Sequence, residues 1–127
     1  MLELRLRGLW LTASVVLVSI VVWGSLQTSV NLPVPGEFDK VEHFGTYGFL
    51  TVWFTGLYPR RRDAIIVLAL LGLGLSMEIG QYVMGMGREA DPVDMLANAA
   101  GVALGLGIAR TVTGGWAARV ESWLNPN

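Results

Sequence analysis

The sequence predicts an all-α membrane protein: a four-transmembrane-helix bundle with cytoplasmic N and C termini, followed by a short C-terminal amphipathic interfacial helix. Three observations carry that reading. Of the 127 residues, 53% are hydrophobic and 15% charged, with a mean hydropathy of +0.52; a soluble domain carries about 25% charged residues. The charges are gathered into short stretches between long apolar runs, as they are around bilayer spans. The lysines and arginines fall mostly on one side of those spans, which orients them.

The spans are predicted at residues 8–26, 41–57, 64–84 and 93–112. A rise of about 1.5 Å per residue lets about 20 residues cross the ~30 Å hydrocarbon core. The first follows Arg5 and Arg7 and has no small-x-small cleavage site around Trp23-Gly24-Ser25, so it reads as a retained span rather than a signal peptide. Pro33 and Pro35 make residues 27–37 a turn-rich loop. The second span opens on Asp39-Lys40-Val41-Glu42, a cap residue with an acid three positions on. It is the least apolar of the four, because Glu42 and His43 lie in its first turn. Pro59 follows it, and Asp63 is positioned to cap the third. Asp91-Pro92 puts a cap residue before a proline at the first helical position of the fourth, with Asp94 three after the cap. Residues 1–113 thus form one transmembrane domain. In the tail, 114–127, Trp116, Val120, Trp123 and Leu124 fall at helical spacing with Arg119 and Glu121 elsewhere on the wheel. That pattern predicts a helix lying on the inner membrane surface as an anchor.

Arg5, Arg7, Arg60, Arg61, Arg62, Arg110 and Arg119 lie on the N-terminal side of the membrane in this topology; Lys40 and Arg88 lie opposite. The positive-inside rule then makes both termini cytoplasmic. No basic stripe points to nucleic acid, and the absence of cysteine excludes disulfides, thiol catalysis and thiolate metal sites.

The topology gathers polar residues at the outer face. Asp39, Lys40 and His43 open the second span, Glu78 and Gln81 end the third, and Arg88, Asp94 and Asn98 open the fourth. Asp39, His43 and Tyr47 are four apart and share a helical stripe. Asp94 and Asn98 continue into Gly101 and Gly105, a small-residue seam that permits close helix approach, either within the chain or in self-association. Several of these residues also have purely structural readings: Asp39, Asp91 and Asp94 as helix-capping groups, His43 as a core histidine bonded to a carboxylate. Glu78 resists one, since a carboxylate that far inside a span needs a partner, a proton or water.

At these positions the chain resembles the VanZ-like family of small bacterial membrane proteins. The matching pieces are Asp39-Lys40-x-x-His43-Phe44-x-x-Tyr47, Glu78-x-x-Gln81, and Arg88-x5-Asp94-x3-Asn98-x-x-Gly101-x3-Gly105, all between residues 39 and 105. The resemblance implies a compact multi-span helical protein of the bacterial cytoplasmic membrane. The family is named for a member linked to low-level teicoplanin resistance, which extends the implied roles to the cell envelope and glycopeptide susceptibility without making this chain a resistance factor. It selects Asp39, Lys40, His43, Tyr47, Glu78, Gln81, Arg88, Asp94 and Asn98.

Three functions fit. In the first, the site binds or processes a lipid-linked or phospholipid-like envelope molecule at the outer leaflet. Asp39, His43, Glu78 and Asp94 are then the candidate acid–base groups, and Lys40, Tyr47, Gln81, Arg88 and Asn98 the ligand contacts, with helix N-termini assisting at an anion. The second is non-catalytic binding of an envelope ligand or scaffolding of a membrane partner. The third is proton or ion movement, against which stands the near absence of ionisable residues in the inner halves of the spans. A divalent metal at His43, Glu78 and Asp94 would rest on a weak signature, one histidine with scattered carboxylates, so no metal ligands are assigned.

Overall fold

A computed structural model describes residues 1–27, 36–84 and 91–124. All their regular structure is helical: α1 (Arg7–Gln27), α2 (Gly36–Leu57), a 3-10 turn (Arg60–Arg62), α3 (Asp63–Val83), α4 (Pro92–Ile108) running into a π-helical turn (Ala109–Thr113), and α5 (Trp116–Leu124). Three stretches are long and apolar enough to cross a membrane, Arg7–Leu26, Arg60–Val83 and Pro92–Thr113. They match the first, third and fourth predicted spans. α2 is not among them, because its first turns carry Glu37, Asp39, Lys40, Glu42 and His43.

Packing explains how α2 tolerates that composition. It is the helix on which α3, α4 and α5 converge, α4 most extensively. Its buried face runs Tyr47, Leu50, Thr51, Thr55 and Leu57. The two threonines bond back to their own helix, Thr51 Oγ1 to the Tyr47 carbonyl at 2.7 Å and Thr55 Oγ1 to the Thr51 carbonyl at 2.6 Å. Neither hydroxyl is therefore left unsatisfied in the core. Many apolar side chains point outward: Val15, Val16 and Ile20 of α1, Val41, Phe44 and Phe49 of α2, Leu68, Leu75 and Ile79 of α3, Leu96 and Leu104 of α4. Such a surface suits hydrocarbon and would be unfavourable in water.

α2 and α4 meet at a glycine seam. A Cβ on Gly48 would lie 3.3 Å from the Gly101 carbonyl oxygen, and one on Gly101 would collide with the Phe44 carbonyl. Gly105 is buried against Gly48 and Thr51 in the same way. The predicted small-residue seam is thus filled from within the chain.

Two capping expectations change. α2 begins at Gly36, upstream of the expected residue 41, so Asp39 is an interior helical residue rather than a cap. α3 follows directly on the 3-10 turn and has no side-chain cap. The Asp63 carboxylate is engaged instead by Arg110, which donates from Nε at 2.7 Å and also from Nη2. That pair ties the start of α3 to the π turn.

α5 differs from the expected surface anchor in one respect. Its Trp123 and Leu124 are exposed, as an interfacial helix requires, but Glu121 is turned inward and buried. The carboxylate accepts hydrogen bonds from the Arg5 amide (2.7 Å), the Leu6 amide (2.9 Å) and the Trp10 indole N–H (2.7 Å). It therefore caps the entry to α1 from the other end of the chain and complements the positive end of that helix. Trp10, Trp53 and Trp116 pack beside it with ring centroids 5.1–6.0 Å apart. The Trp116 indole lies against Gly56 and donates to the Val52 carbonyl at 3.0 Å.

This contact has a pH signature. Burial acts to raise the Glu121 carboxyl, but the Leu6 and Arg5 amides, the Trp10 indole and the Arg5 charge outweigh it and hold the group below the usual carboxylate range. A carboxylate so lowered stabilises the fold fully above its ordinary pKa of 4.5 and loses that contribution as pH falls through the lowered value. Tryptophan fluorescence of the detergent-solubilised protein should accordingly change in an acid transition below pH 4.5. Glu121→Gln should lower the melting temperature at neutral pH and flatten that transition. An unaltered transition in the variant would rule the contact out.

Candidate functional site

The polar residues meet at the end of the bundle opposite the α5 cap. Two strings of contacts run side by side there, one through each of two neighbouring residues of α2. The first passes through His43, the chain's single histidine. Asp39, one turn earlier, puts Oδ1 at 3.8 Å from His43 Nε2. On the other side of the ring, Nδ1 lies 3.1 Å from Asn98 Oδ1 of α4. Asn98 is fully buried and holds the ring in place through this contact. The other ring nitrogen, Nε2, faces the Asp39 carboxylate. Gly74 of α3 leaves room for this arrangement: a Cβ there would come within 2.8 Å of Asn98 Nδ2 and 3.4 Å of the Tyr47 hydroxyl.

The second string passes through Lys40. Its Nζ lies 3.4 Å from Asp91 Oδ2 and 3.9 Å from Asp94 Oδ1. Asp91 is the N-cap of α4 as predicted, accepting from the Val93 amide through Oδ1 at 2.8 Å, with Pro92 at the first helical position. The cap uses one carboxylate oxygen and leaves the other for Lys40. The Asp91 amide in turn donates to Glu78 Oε2 at 3.3 Å. Glu78 is buried near the end of α3 and straps α3 to the start of α4.

Eight of the nine residues singled out in the sequence lie in this region, and Arg88 lies outside the described residues. Asp39, Lys40, His43, Asp94 and Asn98 are drawn together. Glu78 is joined to them through Asp91, and Tyr47 lies beside Asn98 over Gly74. Gln81 turns toward α1, where its amide donates to the Ser25 carbonyl at 2.8 Å and satisfies one of the free carbonyls of that helix end.

The contribution of α1 is absent from the sequence reading. A cleft of about 230 Å³ opens between α1 and α2. Ile20, Val21, Gly24 and Ser25 form the α1 side; Asp39, Glu42, His43, Thr46 and Tyr47 form the α2 side. One wall is thus mainly apolar and the other mainly polar. Ser25, Glu42 and Thr46 are site residues that no spacing rule selects.

The arrangement supports two kinds of chemistry. His43 can take a proton on Nε2, with Asp39 stabilising the imidazolium and Asn98 fixing the ring. Asp39, His43 and Asp94 also offer ligand atoms that all lie within 4.8 Å of one another, a spacing that a divalent cation could draw together. Asp39, rather than the expected Glu78, completes that group. Lys40 beside Asp94 opposes a cation there by charge repulsion.

Apolar helices around a buried polar cluster define an all-helical membrane protein. The VanZ/LLP1 family model matches residues 6–113, most of the chain, and the chain belongs to that family. No curated protein and no solved structure matches it.

Proposed function

We propose that this chain is a four-span protein of the bacterial cytoplasmic membrane, with both termini cytoplasmic, that binds an amphipathic envelope molecule at the outer face and uses His43 as a base upon it. The observation that carries this reading is the two-sided cleft between α1 and α2. Ile20 and Val21 suit an acyl or prenyl chain entering sideways from the bilayer. Asp39, Glu42, His43 and Thr46 suit a head rich in hydroxyl or amino donors, the chemistry of lipid-linked precursors and of phospholipid heads. Lys40 is flanked by two carboxylates, so it orients those acids and contributes little net attraction for a bare phosphate. α2 crosses as the remaining span, packed on one face by α3, α4 and α5 and presenting Phe44 and Phe49 outward on the other.

Transport is the weaker alternative. Between the site and the Asp63–Arg110 pair at the opposite end, the buried polar groups Thr51 and Thr55 bond to their own helix and supply no relay. Non-catalytic binding differs from the processing reading only in the use made of His43.

Gly24→Leu separates these readings from a purely structural role. A Cβ at Gly24 meets nothing within 4 Å, so the leucine fills the cleft and leaves the packing intact. Mass spectrometry of wild-type protein extracted from bacterial membranes should find a discrete amphipathic species at about one per chain, at least tenfold reduced in Gly24→Leu. Identical bound species in the two proteins would contradict the proposal. Retention with unchanged structure in His43→Ala would favour binding with processing when the retained species differs chemically from that in wild type, and binding alone when it does not.

A further inference from the structure

We propose that the opposite end of the bundle carries a second site, a pocket for a phosphate group held by Arg60 and Arg119. The pocket, an open depression of about 430 Å³, is lined by parts of the chain far apart in sequence: Arg60 at the 3-10 turn, Arg110 in the π turn, Arg119 on α5, and the Gly114-Gly115 link between the last two. Among the described residues no carboxylate lines it.

The charges in it are not equivalent. Arg110 is engaged by both oxygens of Asp63, so that pair is neutral. Arg60 and Arg119 have no carboxylate partner among the described residues. Each makes one long contact to a backbone carbonyl of the π turn, Arg60 Nη2 to Arg110 O and Arg119 Nη2 to Val112 O, both at 3.4 Å. A guanidinium has five N–H donors, so most of both forks stays available. Two positive charges with no carboxylate partner among the described residues therefore share this pocket, and planar guanidinium forks match phosphate oxygens two at a time.

Topology alone does not call for this arrangement. The positive-inside rule needs arginines on one side of the membrane, and exposed Arg61, which does not line the pocket, meets that need as well as Arg60 does. The rule does not require arginines from separate elements to converge. The π turn is what brings them together: its widened backbone carries both acceptor carbonyls, and such turns recur at functional sites. Gly115, at φ +67°, then reverses the chain so that α5 returns Arg119 to the pocket. The Trp10, Trp53 and Trp116 cluster lies at this same end, and tryptophans gather at the level of lipid headgroups. A phosphodiester headgroup that carries no cation of its own, as in phosphatidylglycerol, and free inorganic phosphate both present an uncompensated phosphate charge to the two arginines, whereas the choline of phosphatidylcholine neutralises its phosphate.

The test uses the full chain in nanodiscs of phosphatidylcholine with increasing phosphatidylglycerol, reading by native mass spectrometry the lipids that stay bound. The wild type should retain phosphatidylglycerol about tenfold over its share in the disc, the increment expected of one or two charged hydrogen bonds. Arg60→Gln/Arg119→Gln should lose that preference, and Arg61→Gln, with one charge removed outside the pocket, should keep it. The single variants Arg60→Gln and Arg119→Gln, intermediate in effect, serve if the double variant does not fold. Inorganic phosphate titrated into discs of phosphatidylcholine alone identifies the source: saturable binding lost in the double variant, with no lipid preference, would assign the pocket to free phosphate. No difference between wild type and variants in either measurement would overturn the proposal, as would an equal loss in Arg61→Gln.

Discussion

Gly101→Ala is expected to be among the most destabilising single-methyl substitutions in this chain. The added carbon would collide with the Phe44 carbonyl oxygen and lie 3.1 Å from the Gly48 amide nitrogen, both backbone atoms of α2. No rotamer change relieves that contact, so the two helices must separate along a seam that also holds Gly48 and Gly105. Overpacking typically costs about 1–3 kcal/mol and more when the backbone itself has to move; a loss of about 3 kcal/mol or more follows here. Gly72→Ala and Gly107→Ala are the controls, since a Cβ at either meets nothing within 4 Å. These should gain about 0.5–1 kcal/mol from helix propensity. Denaturation in mixed detergent micelles, followed by circular dichroism, should therefore move Gly101→Ala and the two controls in opposite directions. Equal effects at all three positions would mean that α2 and α4 do not cross there.

Asn98→Ala carries the second large effect. Asn98 is fully buried and bonds to His43 Nδ1 at 3.1 Å. Removing its amide leaves Nδ1 of a nearly buried histidine without its hydrogen-bond partner, which costs about 1–3 kcal/mol. Truncation in the core adds a cavity cost on top. The functional loss should exceed the stability loss, because the ring is then free to exchange tautomers and swing from Asp39. Where His43 acts as a base, turnover of the bound envelope molecule should fall by about 10²-fold or more. Asn98→Asp restores an acceptor at Nδ1 and should recover the ring orientation while leaving turnover altered, since it adds a charge to an already acidic site. A variant Asn98→Ala that binds and processes ligand like wild type would remove His43 from the mechanism.

The parts of this architecture written in local sequence are those set by apolar run length and helix punctuation. Runs such as 64–84 and the Asp91-Pro92 cap follow from neighbours a few residues apart. So does the alignment of Asp39, His43 and Tyr47 on one stripe, and that of Asp94 with Asn98. The Gly101-x3-Gly105 seam is legible for the same reason, although its partner face on α2, with Gly48, comes only with the fold. What escapes sequence reading is decided by residues far apart in the chain. Glu121 looks like a solvent-facing charge on an amphipathic wheel, and only the return of α5 to the start of α1 makes it a cap. Asp63 looks like a cap until Arg110 reaches it across the bundle. Asp91, understood as a cap, serves Lys40 and Glu78 as well, because a carboxylate has more acceptor capacity than one cap contact uses. The early start of α2 at Gly36 places Asp39 inside the helix rather than at its cap. Ser25 and Gly24 carry no chemical signal at all; they belong to the site because α1 forms the far wall of the cleft.

The central claim is that polar residues distant in sequence form one site around His43. Since the chain contains one histidine, its imidazole nitrogens can be read without ambiguity by nitrogen-15 NMR of the protein in nanodiscs. The imidazole nitrogen shifts should differ from those of free histidine in water and should move in Asp39→Asn, in Asn98→Ala and on occupancy of the cleft. A spectrum like that of free histidine in water, unmoved by either substitution, would contradict the claim.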